Sequence, residues 1–502
     1  TKEELVQFAN NNYGEQYVVI YKEQGKRDDA VKVDKPKITS LELNRDAHSA
    51  YFEEITSQPA ARLEPLFLDF DKSLNHTEIA NGVKLSHIEN KINDLFRMQY
   101  IIPMGKNHDK MIPLAIDYLE YLGTDKYSPA DFKKELFKYG LSFGVYSSDE
   151  HAYVYISGLE ESLDKGIELL EHMIANAKPD QEAYDNYVQK IIKDRSNDKE
   201  DKDQILWGGM MNYGLYGENS SFRNIITEDK LKNIVPQALT DLVKDLYSYE
   251  HEIFYYGTRP ATEVATILKE KHIVPAELKP VPEPVDFQIR DIAQNEVYFV
   301  NYDMVQSNIL LLSKDQTFEK ELMPYARMFN EFYGGGLSSI VFQEIREAKA
   351  LAYTAFSAFT TPAKKEDNHI IYGFVGTQPD KIQTATDALL NLMNNMPEAD
   401  KQFESARESI LKQIESERIT KDRVYWTWRT NNKRGIDYDI RKDMYEKIKN
   451  MTLAEFKEFF ASHISGKNYT FMVMGNQSSV DMNILSKIGI VKQLTLEELF
   501  NF

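Results

Sequence analysis

The chain has 502 residues, 42% of them hydrophobic, with 60 basic against 79 acidic side chains for a net charge of −19 with histidine neutral. That length asks for two or more domains with real cores, and the acidic balance makes nucleic acid or an anionic membrane surface a poor partner. Cysteine is absent, which excludes disulfide frameworks, thiol nucleophiles and cysteine-ligated metals, and no apolar run approaches the ~18 residues of a membrane span.

In chain order, an amphipathic segment, Glu4-Leu5-Val6-Gln7-Phe8-Ala9, leads into a β-rich apolar run, Gln16-Tyr17-Val18-Val19-Ile20-Tyr21-Lys22. Residues 26–75 are polar and punctuated by Pro36, Pro59 and Pro65, as a connector is. Strands are expected at Val83–Glu89 and Asp94–Pro103, helices at Lys110–Leu122 and Pro129–Tyr139, alternating strand residues over Gly144–Ser157, and a helix at Leu163–Ala175. The helical segment 238–246 then runs into the strand-like His251-Glu252-Ile253-Phe254-Tyr255-Tyr256-Gly257. Pro280, Pro282 and Pro284 mark a second, extended connector.

The helix-then-strand ending occurs a third time, as Leu453–Phe460 followed by Asn468–Gly475. Two of the three copies close segments of roughly domain length. The copy at 4–22 closes nothing before it, and a lone helix and strand cannot bury their apolar faces. Residues 1–25 are therefore expected to be the last piece of an upstream domain, 26–75 a linker, and 76–275 and 286–502 two domains. Strands mixed with helical hairpins, without a regular βαβ rhythm, place these domains in the α+β class.

The most informative stretch is Tyr333-Gly334-Gly335-Gly336-Leu337-Ser338-Ser339, continuing through Gln343-Glu344-Ile345-Arg346-Glu347 to Leu351-Ala352-Tyr353. It reads as a glycine loop, a helix with the apolar stripe Leu337, Ile340, Val341, Ile345 and Ala348, and a strand beginning near Tyr353. A helix packed on its own following strand can aim Arg346 and Tyr353 at one place. There a guanidinium and a phenol can donate hydrogen bonds to a carbonyl oxygen gaining negative charge. Taken alone, the same residues also suit a helix-end arginine paired with Glu347 and a core tyrosine.

This stretch closely resembles the signature of the pitrilysin/insulinase family of zinc metallopeptidases. The resemblance implies two tandem metallopeptidase-like α/β sandwich domains, each an antiparallel-type sheet with helices on one face. It also implies that the chain is the metal-free C-terminal half of a zinc endopeptidase. That half would close over a peptide substrate, with Arg346 and Tyr353 as catalytic groups and Gly334, Gly335 and Gly336 lining the substrate. The Zn2+ of the complete enzyme would be held by an N-terminal partner half, so this chain alone would be inactive, and a periplasmic setting fits better than a cytoplasmic one. The alternative is a non-catalytic peptide-binding or scaffolding subunit of the same superfamily.

In the family, an inverted His-x-x-Glu-His helix holds the metal. Aligned on Gly123-Thr124, this chain places Leu114 and Tyr118 at the histidine positions and Asp117 at the glutamate. Leucine has no lone pair for zinc and tyrosine is a poor substitute for imidazole, so no metal is expected in this chain. Its ten histidines are scattered, and Glu168–His172 only imitates the motif. Tyr425, Trp426 and Trp428 read as core packing or a docking helix, and Tyr213–Gly217 as a structural loop.

Overall fold

The computed structural model describes residues 1–22, 25, 49–58 and 63–502. Most of the expected connector at 26–75 lies outside the described residues. The chain divides into two compact units, residues 1–61 and 62–502. In the first, helix Lys2–Asn12 is started by a capping box between Thr1 and Glu4, and a second helix spans Ala50–Ser57 behind the Ser49 cap. The strand expected at 16–22 does not form, and Tyr17, Val18, Ile20 and Tyr21 are each at least 75% exposed. A strand is stable only as part of a ladder, and among the described residues this run has no partner strand.

The second unit holds two six-stranded sheets. The first comprises β1 (Asn75–Ala80), β2 (Val83–Glu89), β3 (Leu95–Ile102), β4 (Leu141–Ser147), β5 (Ala152–Leu159) and β6 (His251–Gly257), in the order β1-β2-β6-β3-β5-β4. The second comprises β7 (Glu296–Asn301), β8 (Ser307–Thr317), β9 (Thr354–Phe359), β10 (Asn368–Thr377), β11 (Thr470–Gly475) and β12 (Ile490–Leu494), in the order β9-β10-β8-β11-β7-β12. The α+β class is as expected, with mixed rather than purely antiparallel sheets: β2 runs parallel to β6, and β7 parallel to both β11 and β12.

The repeated ending has the same place in both sheets. Helix Pro236–Leu246 delivers β6, and helix Leu453–His463 delivers β11. Each strand sits third from one edge, parallel to one neighbour and antiparallel to β3 or β8. The expected run at 144–157 resolves into the hairpin β4–β5, closed where Ser148 N donates to His151 O at 2.8 Å.

Period-two alternation sorts side chains between the sheet faces. In the second sheet, Val297, Phe299, Ile309, Leu311, Phe471 and Val473 face one core, under that domain's own helices. Val300, Leu310, Leu312, Met472 and Met474 face the other way. That outer face is covered by Gln204–Tyr216, a π-helical turn leading into an α-helix, which comes from the sequence of the first domain. The first sheet is treated reciprocally: Ile101, Tyr153 and Phe254 on its outer face meet helix Arg423–Lys433 of the second domain. The Phe254 and Tyr425 rings stack there nearly parallel at 4.0 Å, burying two large apolar faces against each other. Both aromatic segments are thus docking elements. A sheet buried on both faces needs continuous apolar strands, which is what Ile309-Leu310-Leu311-Leu312 supplies.

Candidate functional site

The site is built where the second domain's glycine loop meets its edge strand. A π-helical turn, Phe329–Gly334, ends against β9. Asn330 lies along that strand's open edge: its Oδ1 accepts from Phe359 N and its Nδ2 donates to Phe359 O, both at 3.0 Å. Gly334 is buried on the same edge, where a Cβ would come within 2.0 Å of Ser357 O. Gly336 takes a left-handed φ of +78° with open space around it. Ser339 then caps the next helix, its Oγ accepting from Phe342 N at 3.4 Å and donating to Gly336 O at 2.9 Å. Of the three glycines expected to line substrate, Gly334 is therefore committed to packing, Gly335 is half-buried and Gly336 is exposed.

The helix expected here is short and then widens. Ile340–Phe342 is α-helical and Gln343–Ala348 is a π-helical turn, a device common at functional sites. Ile340, Val341 and Ile345 of the expected stripe are buried. Leu337 is instead 71% exposed, because the turn at Gly336 puts it before the cap and outside the helix. Ala350 has φ +49°, a conformation that costs a residue with a Cβ roughly 1–2 kcal/mol. It is fixed by neighbours: Ala350 N donates to Arg346 O at 3.2 Å, and Thr377 Oγ1 donates to Leu351 O at 2.5 Å. Tyr353 N then donates to Gly376 O at 2.9 Å and starts β9 one residue before its first regular pair.

This path brings Arg346 and Tyr353 together. The guanidinium carbon lies over the Tyr353 ring at 5.3 Å and over the Phe342 ring at 4.8 Å. Tyr353 is 68% exposed, so it is not a core tyrosine. Glu347 Oε1 stands 3.8 Å from Arg346 Nε, too far for a hydrogen bond. No hydrogen bond to a described residue uses up the Arg346 nitrogens or the Tyr353 hydroxyl. The arrangement can present several donors to one anionic or carbonyl oxygen. The sequence reading had Phe342 and Ala350 within the motif but gave neither a role. The four-residue spacing of Phe342 to Arg346 was a usable signal, whereas the left-handed alanine had none.

Where the resemblance implies metal-ligating histidines, packed core side chains stand instead. On helix Met111–Tyr118, Leu114 is buried in the core. The Tyr118 hydroxyl donates to Asp180 O at 2.6 Å and accepts from Asp180 N at 3.0 Å, which ties it to the start of helix Gln181–Asp198. Its ring packs edge-on against Tyr184 at 5.6 Å, and Tyr187 stacks beyond it. Zinc does not fit this set of side chains. Burial, with Glu120 nearby, pushes the Asp117 carboxyl up to about 6, and the Tyr187 hydroxyl only partly opposes this. His172 of the imitation motif bonds Thr124 Oγ1 at 2.9 Å. Among the described residues no group of three or more His, Cys, Asp or Glu could hold a metal ion.

Asp117 yields a pH prediction. Its folded pKa lies above its unfolded one, so the folded state binds the extra proton between about 4 and 6 and loses stability as pH rises through that window. Above pH 6 the penalty is complete, about 1–2 kcal/mol after allowance for partial exposure. Asp117→Asn is expected to raise Tm by a few degrees at pH 7 and to leave it unchanged at pH 4, as read by thermal melts across pH.

Residues 226–410, which include the glycine loop, Arg346 and Tyr353, match the family model described as the peptidase M16 inactive domain. An uncharacterized zinc protease of Rickettsia felis is 20% identical over 333 residues, covering 65% of this chain and 79% of that protein. The fold is similar to the crystal structure of a peptidase M16 inactive domain from Pseudomonas fluorescens, with TM-score 0.63 and 13% identity over 82% of this chain and 99% of that one. It is also similar to the ferredoxin protease FusC, solved in complex with Arabidopsis ferredoxin, with TM-score 0.64 and 12% identity over 95% of this chain but only 51% of that one. Residues 226–410 are thus similar to the peptidase M16 inactive domain, and the chain shares the α+β architecture of a solved structure of that domain.

Proposed function

We propose that the chain serves as the metal-free half of a zinc-dependent endopeptidase, closing over a peptide and supplying Arg346 and Tyr353 at the scissile region. The observation that carries this reading is the Arg346 guanidinium over the exposed Tyr353 ring at 5.3 Å, with no hydrogen bond to a described residue using the donors of either side chain. In such an enzyme zinc supplies Lewis-acid activation of water and carbonyl. It would be held by a companion half, since Leu114, Asp117 and Tyr118 do not form a ligand set. This chain's residues would hold the peptide carbonyl, with the phenol O–H and guanidinium N–H groups donating to its oxygen as negative charge builds. Gly336 and Leu337, exposed on the glycine loop that precedes the Arg346 helix, would border the substrate. The FusC–ferredoxin complex supports proteins as well as peptides as substrates.

The same reading takes residues 1–25 as the closing helix and strand of the companion half's last sheet. What supports it is the apolar run 17–21, exposed and unpaired, in a segment whose two counterparts each enter a sheet third from its edge. The direct test mixes this chain with a zinc-bearing half and measures cleavage of an unstructured peptide. Cleavage is expected only with both present. Cleavage by this chain alone, or none by the metal-loaded pair, overturns the reading.

A further inference from the structure

We infer that Phe342 is a positioning residue, holding the Arg346 guanidinium in place beside Tyr353. The inference rests on the proposed function only in giving that placement a purpose; the contact belongs to the chain itself. An arginine side chain that is 37% exposed samples many rotamers unless something fixes it. Arg346 has no hydrogen bond to a described residue, and its nearest carboxylate is 3.8 Å away. What orients it is aromatic: Phe342 lies one turn before it, with the guanidinium carbon 4.8 Å from the ring centroid, and Tyr353 lies 5.3 Å away on the following strand.

The two rings differ in freedom. Phe342 is half-buried and held at the end of the Ser339-capped turn, next to buried Val341 and Ile345. Tyr353 is mostly exposed. Phe342 is thus the fixed face, and Tyr353 meets an arginine already oriented. Contact through the face of the guanidinium leaves its in-plane N–H groups available for an incoming oxygen. The π-helical turn Gln343–Ala348 carries Arg346 to a place where its guanidinium is within reach of both rings.

The test labels arginine with nitrogen-15 in the full 502-residue chain and assigns the Arg346 Nε–H resonance by its loss in Arg346→Lys. An aromatic face shifts that resonance upfield. Phe342→Leu is expected to move it toward the free-arginine position, and Phe342→Tyr to keep it. Phe342→Met, which lacks a ring but fills similar volume, takes the place of Phe342→Leu if the latter misfolds. A resonance unmoved by ring removal overturns the inference, whatever the enzyme does. In the complete two-half protein, ring removal is expected to lower kcat/KM about 3–10-fold, with Phe342→Tyr restoring it. If the resonance moves and neither ring removal nor Arg346→Ala alters turnover, the positioning contact stands and the proposed function falls.

Discussion

Tyr353→Phe in the complete two-half protein is expected to lower kcat on the order of 10²–10³-fold with KM nearly unchanged. The substitution keeps a ring under the Arg346 guanidinium, 5.3 Å from its centroid in the native chain, so the packing of the pair survives and only the O–H is removed. A donor that acts on charge present only in the transition state shows in kcat, whereas one that merely holds substrate shows in KM. Single-turnover and steady-state kinetics on one peptide separate the two. Tyr353 leaves the mechanism if kcat is unaltered. Arg346→Lys is a useful companion: it keeps the charge and loses the planar fork and its stacking, so it should fall between wild type and Arg346→Ala.

Gly334→Ala is expected to destabilise the second domain by about 3 kcal/mol or more, because the added methyl meets backbone that is itself part of a sheet. The Cβ would stand 2.0 Å from Ser357 O and 2.6 Å from Ser357 C. Neither atom can withdraw without dragging β9 from β10. Gly336→Ala has nothing within 4 Å and only the φ of +78° against it, so about 1 kcal/mol is expected there. Urea midpoints of the two variants test this directly. Equal small losses would mean that Gly334 is free of β9 in solution and available to line substrate.

These contrasts show which features were legible in the sequence. The nearness of Arg346 to Tyr353 and the repeated endings at 238–257 and 453–475 were readable because each rests on local spacing: a turn, a helix, a strand. That Leu114 and Tyr118 stand where the resemblance implies histidines was readable once the segment was aligned on Gly123-Thr124. The docking of Trp426 on Tyr153, at 6.2 Å, was not, since nothing local in an aromatic helix names a strand far away in the chain. The division of labour among three adjacent glycines was equally hidden. It depends on which of them faces Ser357. The strand expected at 16–22 shows the converse, as a correct local preference does not make a ladder without a neighbour.

The exchange of helices between the two sheets has a consequence for how the molecule comes apart. Helix Arg423–Lys433 seals the first sheet and Gln204–Tyr216 seals the second. Severing the chain in the proline connector would leave each fragment with a bare apolar sheet face and an orphaned helix. Such pieces aggregate rather than fold. Scanning calorimetry should accordingly show residues 62–502 melting in one cooperative transition despite their two cores, and the two separately expressed fragments should become soluble only when produced together.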